Sequence, residues 1–192
     1  MKRVTLLVAA LLVASAASHA AVKPHALFTD NAVLQQGVPV NVWGTASDGE
    51  KVTVTFARQK FSTTTKDGRW KVTLRPLKTN ATPQTMTIAG ENTVEIKNLL
   101  VGEVWACSGQ SNMQWGLNQT ANATQDIAAA NDPSLRLFTV PRVTADTPQI
   151  EVDAQWVVCS PETAASFSAV AYYFGRDLRK ARNVPVGLIH TS

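Results

Sequence analysis

The chain reads as an antiparallel β-sandwich followed by the opening strands and helices of an α/β layered domain. Three observations lead there. Apolar residues alternate with polar ones from residue 22 to about residue 98. Asp-Gly and related turn signals punctuate those runs. After Leu99 the pattern changes to one apolar strand and then to a helical period, the signature of a layered sheet with crossover helices.

Residues 1–20 read as an export leader. Met1-Lys2-Arg3 is basic, residues 4–14 are almost unbroken apolar, and Ser18 and Ala20 flank His19. That is the order of a secretory signal with a small-x-small cleavage site, cut after Ala20. The apolar run falls short of the roughly 20 residues that span a bilayer. The expected mature chain is exported, to the periplasm or the extracellular space, and has no membrane partner.

Residues 21–98 supply the sandwich. Val40, Val42 and Gly44 alternate with polar neighbours, as do Val52, Val54 and Phe56, then Trp70, Val72 and Leu74. Met86 with Ile88 and Val94 with Ile96 continue the pattern. Ser47-Asp48-Gly49, Lys66-Asp67-Gly68 and Ala89-Gly90-Glu91-Asn92 lie between them, and Gly supplies the positive φ that hairpin turns require. Asp48, Glu50, Asp67 and Glu91 fall in or beside those turns and read as solvated. Trp43, Trp70, Phe56 and Phe61 alternate as core residues do, which counts against a sugar-binding face of exposed aromatics.

Residues 99–192 read as the first part of the α/β domain. Residues 101–107 form an apolar strand, 126–130 a short helix, and 135–140 and 155–159 two more strands. The spacing predicts a helix over 166–183, capped by Ser166, with Phe167, Val170, Ala171, Phe174 and Leu178 on its buried face. Arg179, Lys180 and Arg182 suit its C-terminal end and read as solvent-facing. Residues 186–190 begin a further strand. An open α/β sheet needs more crossovers than these, so the reading is of the N-terminal part of a longer protein.

Composition narrows the function classes. At 45% hydrophobic and 17% charged, the 192-residue chain is neither disordered nor fibrous. The net charge is +4, and loss of Lys2 and Arg3 with the leader halves it. So small a charge makes no phosphate-binding footprint, and nucleic acid is excluded as a partner. Cys107 and Cys159 are the two cysteines. In an exported chain they form a disulfide or remain as two buried thiols in neighbouring strands, and sequence alone leaves both open. No metal site of usual ligand spacing exists, and no cofactor is implied.

The chemistry concentrates in Gly102-Glu103-Val104-Trp105-Ala106-Cys107-Ser108-Gly109-Gln110-Ser111-Asn112-Met113. Ser111 follows an apolar strand and stands two residues after Gly109. Reactive groups in parallel α/β sheets gather outside the carboxyl ends of the strands. A sharp turn there exposes the serine and frees backbone N–H groups for an oxyanion. Gly-x-Ser alone is equally an ordinary strand-to-loop turn.

The longer string, extended through Gln114-Trp115, resembles the nucleophile block of the sialate O-acetylesterase family, a branch of the SGNH-type hydrolases. Leu27-Phe28, Gln35-Gln36, Trp43-Gly44 and Asp67-Gly68-Arg69-Trp70 resemble its N-terminal sandwich. Leu135-Arg136-Leu137-Phe138, Trp156 and Val184-Pro185-Val186-Gly187-Leu188-Ile189 resemble the start of its hydrolase domain. The resemblance implies a serine esterase that removes O-acetyl groups from sialic acids or related glycans. Ser111 would be the nucleophile and its own N–H an oxyanion donor. Gln110 and Asn112 beside it either shape the pocket or point to solvent. The Asp-x-x-His pair that activates such a serine does not occur within residues 1–192. His190 reads as pocket wall, and His25 as surface. Acetylated xylan or pectin is the alternative substrate, and a non-catalytic exported carbohydrate-binding module the alternative class.

Overall fold

The computed structural model describes residues 21–192, so the expected leader lies outside the described residues. The antiparallel part opens with β1 (Lys23–Pro24), β2 (Val33–Gln35), β3 (Val40–Thr45), β4 (Lys51–Phe56), β5 (Gln59–Thr64) and β6 (Arg69–Leu74). It continues with β7 (Asn80–Ala89) and the long β8 (Thr93–Ser108). Then come α1 (Ser111–Gln114), a 3-10 turn (Leu117–Gln119), α2 (Ala123–Ala128) and β9 (Asp132–Thr139). The last elements are β10 (Val157–Cys159), α3 (Pro161–Ala164), α4 (Ala169–Arg182) and β11 (Val186–Thr191). Among the described residues no helix is long and apolar enough to cross a membrane.

Strands β1, β3 and β6 form one small antiparallel sheet. The others run through one sheet in the order β10-β9-β11-β8-β7-β4-β5, with β2 pairing β8 in parallel. The apolar faces of the small sheet and of β4, β7 and the first half of β8 share one core, which includes Val42, Phe56, Trp70, Leu74, Met86 and Ile88. Phe56 and Trp70 are buried in it, as alternation predicts, and Trp43 and Phe61 are partly buried against it.

Three strands are missing from the sequence reading, the short β1 and β2 and the longer β5. β5 follows β4 through Ala57-Arg58, both at positive φ, a two-residue hairpin turn built without Gly, Asn or Asp. Its alternate residues are only half-buried, so it carries no apolar signature. Glu50 also departs from expectation. It is buried, and its carboxylate accepts from the N–H of Glu91 at 2.6 Å and of Ser47 at 3.1 Å. An acid in a turn here ties two turns together instead of facing water.

The expected division at residues 98/99 falls inside β8, which runs unbroken from the antiparallel sheet into the parallel one. Its first half pairs with β7, and its last six residues pair in parallel with β11. At the changeover Asn98 takes φ 57°. Its side chain donates to Asn31 Oδ1 at 2.7 Å, and Asn31 itself sits at φ 70°. Into this pair reaches Arg136 of β9, 2% exposed, donating to Asn31 Oδ1, Asn98 Oδ1 and the Pro133 carbonyl. Burial lowers the proton affinity of the guanidinium, and Asp132 partly offsets this.

The parallel strands alternate between two cores. Val104, Phe138 and Ile189 face the first core, with Trp156 against Phe138 at 5.3 Å. Cys107, Leu135, Leu137, Val186 and Leu188 face the second, under α4. Two close approaches permit no side chain: a Cβ on Gly102 would strike the Pro185 carbonyl, and one on Gly175 would meet Leu188 Cδ1 at 2.5 Å.

That approach corrects the predicted helix face. α4 starts at Ala169, capped by Ser168 rather than Ser166, and ends on Asn183 in the left-handed conformation. Ala171, Tyr172 and Gly175 are buried, whereas Val170 and Phe174 are exposed. The sheet approaches so closely at Gly175 that small residues, not the larger apolar ones, define the contact. The basic row is likewise not simply solvated: Arg176, Arg179 and Arg182 reach Asp126, Asp132 and Glu103 at 3.6, 3.6 and 3.2 Å.

The cysteines are free and buried, and they do not sit in neighbouring strands. β9 and β11 lie between β10, which carries Cys159, and β8, which carries Cys107. Three strand spacings of about 4.8 Å put them far beyond the roughly 7 Å that a disulfide allows between Cα atoms. Of the two readings left open, two buried thiols is the one that remains, though not in neighbouring strands. Burial raises both thiol pKa values, that of Cys159 to about 11.

Three expected outcomes follow from this packing. Arg136→Leu keeps bulk but leaves the Asn31, Asn98 and Pro133 oxygens without their buried donor. It is expected to cost about 2–4 kcal/mol, read as a lower urea midpoint at unchanged slope. A cost below about 0.5 kcal/mol, typical of an indifferent surface site, would contradict the role given to the network. Thiol labelling of denatured, unreduced protein should modify both cysteines. Because the Cys159 pKa is raised on folding, its contribution is whole below the unfolded value near 8.5 and is lost as pH rises towards about 11. Stability should fall over that window, less steeply in Cys159→Ala; an identical slope in the variant would refute the assignment.

Candidate active site

The register of the parallel strands assembles the site. His190 lies beside Cys107 and Thr191 beside Ser108, while His190 also lies beside Thr139 of β9. The carboxyl ends of β8, β9 and β11 thus meet at one rim, where open α/β sheets bind their ligands. Ser108 Oγ donates to the Thr191 carbonyl at 2.7 Å, and the Val140 N–H donates to the His190 carbonyl at 2.9 Å. The rim is therefore held by strand-end bonds before the loops begin.

Ser111 is the first residue of α1, three positions beyond the end of β8. The turn is closed by N–H groups of Met113 and Gln114 donating to the Gln110 carbonyl at 2.9 and 3.2 Å. The first N–H groups of a helix, here those of Ser111 and Asn112, have no intrahelical acceptor. No side chain caps α1, so nothing competes for them from the Gln110 side. Ser111, Gln110 and Asn112 are all exposed, and no hydrogen bond fixes their side chains.

The chain after α1 is clamped to the start of α4. The Ala169 N–H donates to the Trp115 carbonyl at 2.8 Å, and Leu117 N–H to Phe167 at 3.0 Å. Ser168, fully buried, contacts Met113 Sδ at 3.3 Å while capping α4 through the Ala171 N–H. These bonds fix the short helix that carries Ser111 to the long helix that carries the domain. The motif singles out Ser111 in the sequence, but nothing there marks Ser168, whose buried position only the tertiary packing reveals.

His190 is not joined to Ser111. Its Nε2 shares a hydrogen bond with Ser192 Oγ at 2.7 Å, and its ring meets Phe167 edge-on at 5.5 Å. Nδ1 is buried with no hydrogen-bond partner, and no carboxylate orients the ring. Burial pushes its pKa below the usual histidine value. It forms part of the wall of a cavity of about 190 Å³ at the rim, with Gln114, Thr139, Arg142, Ser166 and Ser192. A roomier cavity of about 390 Å³ is built on β3 and β6, around Trp43 and Trp70, and not on the strand ends. Among the described residues no group of three or more His, Cys, Asp or Glu could hold a metal ion.

No family model matches the chain. It is 32% identical to the sialate O-acetylesterase of Mus musculus, covering 87% of this chain and 35% of that protein. The Homo sapiens sialate O-acetylesterase gives the same identity, with 87% and 36% covered. A crystal structure of a carbohydrate acetylesterase from Xanthomonas citri superposes with a TM-score of 0.84 at 34% identity, over 88% of this chain and 39% of that one. The chain spans about a third of the length of the relatives it matches. It is a homologue of the sialate O-acetylesterases, aligned over nearly nine-tenths of its own length.

Proposed function

We propose that this chain carries the nucleophile segment of an exported serine esterase that removes O-acetyl groups from sialic acids or related glycans. The observation that carries the reading is the placement of Ser111. It is exposed on the first turn after a parallel strand, with free N–H groups beside it. The names of the relatives support an acetylated carbohydrate as substrate. The strands and helices after β8 are read as the opening of an SGNH-type hydrolase domain, and the antiparallel part before it as its sandwich.

In this reading Ser111 Oγ attacks the acetyl carbonyl and the sugar oxygen leaves. Water then hydrolyses the acetyl-enzyme. Negative charge on the carbonyl oxygen is met by the Ser111 N–H, which already points out of the helix start. Gln110 and Asn112, free to swing, border the same space. The attack also needs a base to take the serine proton, because a hydroxyl is a poor nucleophile at neutral pH. Burial favours the neutral form of His190, but Ser192 shares a hydrogen bond with its Nε2 and, among the described residues, no acid fixes its tautomer. The base is assigned instead to an Asp-x-x-His pair supplied by sequence beyond residue 192.

The test is acetyl release from an activated acetyl ester by the full-length protein, its Ser111→Ala variant and the 192-residue chain alone. Ser111→Ala is expected to lose about three or more orders of magnitude, as removal of a nucleophile does. The short chain should be nearly inert. Retention of most activity in Ser111→Ala sinks the nucleophile assignment. Full activity in the short chain returns His190 as the base.

A further inference from the structure

Among the described residues, the side chains that line the rim cavity include one cation, Arg142, and no acid. Arg142, in the loop after β9, donates from Nη1 to Gln114 Oε1 at 2.8 Å. Gln114 is the last residue of α1, three positions after Ser111. Residues so spaced on a helix are neighbours, with about 5–6 Å between their Cβ atoms. The guanidinium is thus tied to the same single turn that holds the proposed nucleophile.

The surroundings of Arg142 favour an anion. Gln114, Thr139, Ser166, His190 and Ser192 line the cavity with it, and no Asp or Glu does. Among the described residues Arg142 makes no ion pair. Its charge is permanent, and Gln114 uses one of its five N–H donors. The remaining fork matches the two oxygens of a carboxylate, a geometry that a lysine cannot offer. The hydroxyls of Thr139, Ser166 and Ser192 add neutral donors and acceptors of the kind that sugar hydroxyls require.

We propose that Arg142, held by Gln114, is a carboxylate subsite that binds the acid group of an acetylated sugar acid while its acetyl ester reaches Ser111. This rests on the Ser111 reading for the position of the ester. It selects sialic acids over neutral acetylated sugars such as those of xylan, which offer the guanidinium no counter-charge. Arg142 is thereby a specificity residue that touches substrate away from the reacting atoms.

The experiment is a titration of the full-length protein with N-acetylneuraminic acid and with its methyl ester, followed by NMR. The ester keeps the sugar and removes the charge. A charge-assisted, two-pronged hydrogen bond should favour the acid by about tenfold or more. Arg142→Gln should bring the two ligands to parity, and Arg142→Lys should retain part of the preference, since it keeps the charge without the fork. Equal binding of both ligands by the unmodified protein, no binding of the acid, or a preference that survives in Arg142→Gln would each overturn the proposal. No ester is hydrolysed in this titration, so its failure is separate from failure of Ser111 as nucleophile.

Discussion

The fold turns on a buried arginine. Arg136 leaves β9 between Leu135 and Leu137 and places its guanidinium against Asn31 and Asn98, both in the left-handed conformation. A guanidinium taken out of water is costly unless its donors are used, and here three acceptors from three parts of the chain use them. Asn31 also donates to the Trp156 carbonyl at 3.4 Å, and its own N–H bonds the Lys97 carbonyl. Those contacts join the loop before β2, the kink in β8, and the strands that frame the parallel sheet. A single polar node therefore holds β8 at Asn98, shortly before its antiparallel pairing with β7 gives way to parallel pairing with β11.

The position of the rim follows from the parallel pairing of β8 with β11. β8 must leave β7 and run alongside β11, and the close contact of Gly102 with Pro185 fixes where the two come together. From there the register carries Cys107 to His190 and Ser108 to Thr191, which brings the start of α1 to the strand ends. α4 then locks α1 through Ser168 and the Trp115 carbonyl. In the proposed chemistry, the nucleophile needs no strained side chain of its own, because its surroundings are fixed on two sides.

How far the sequence revealed this depends on the kind of signal. Alternating strands with Gly-bearing turns were legible, since period and φ are local properties, and so was the helix that became α4. β5 was not, because its turn is Ala57-Arg58 and its exposed face hides the alternation. The buried face of α4 was misread because hydrophobic size does not report how near a sheet comes: Gly175 and Ala171 face it, and Phe174 instead meets Trp105 edge-on at 5.1 Å. Arg136, Glu50 and Ser168 look like surface residues in a sequence, and only tertiary partners make them core. At the proposed site, the motif singles out Ser111 in the sequence, whereas nothing local marks Arg142, whose link to Gln114 crosses 28 positions of chain.

The central claim is that Ser111 becomes a reactive nucleophile in the assembled enzyme. Covalent labelling of the full-length protein with a fluorophosphonate, followed by peptide mapping by mass spectrometry, reads that reactivity directly. Such reagents modify a serine whose proton is removed and whose oxyanion is stabilised. The account predicts one adduct, on the peptide that carries Ser111, and none when the protein is denatured first. An adduct on a different serine, or a native protein that is not labelled at all, would contradict it.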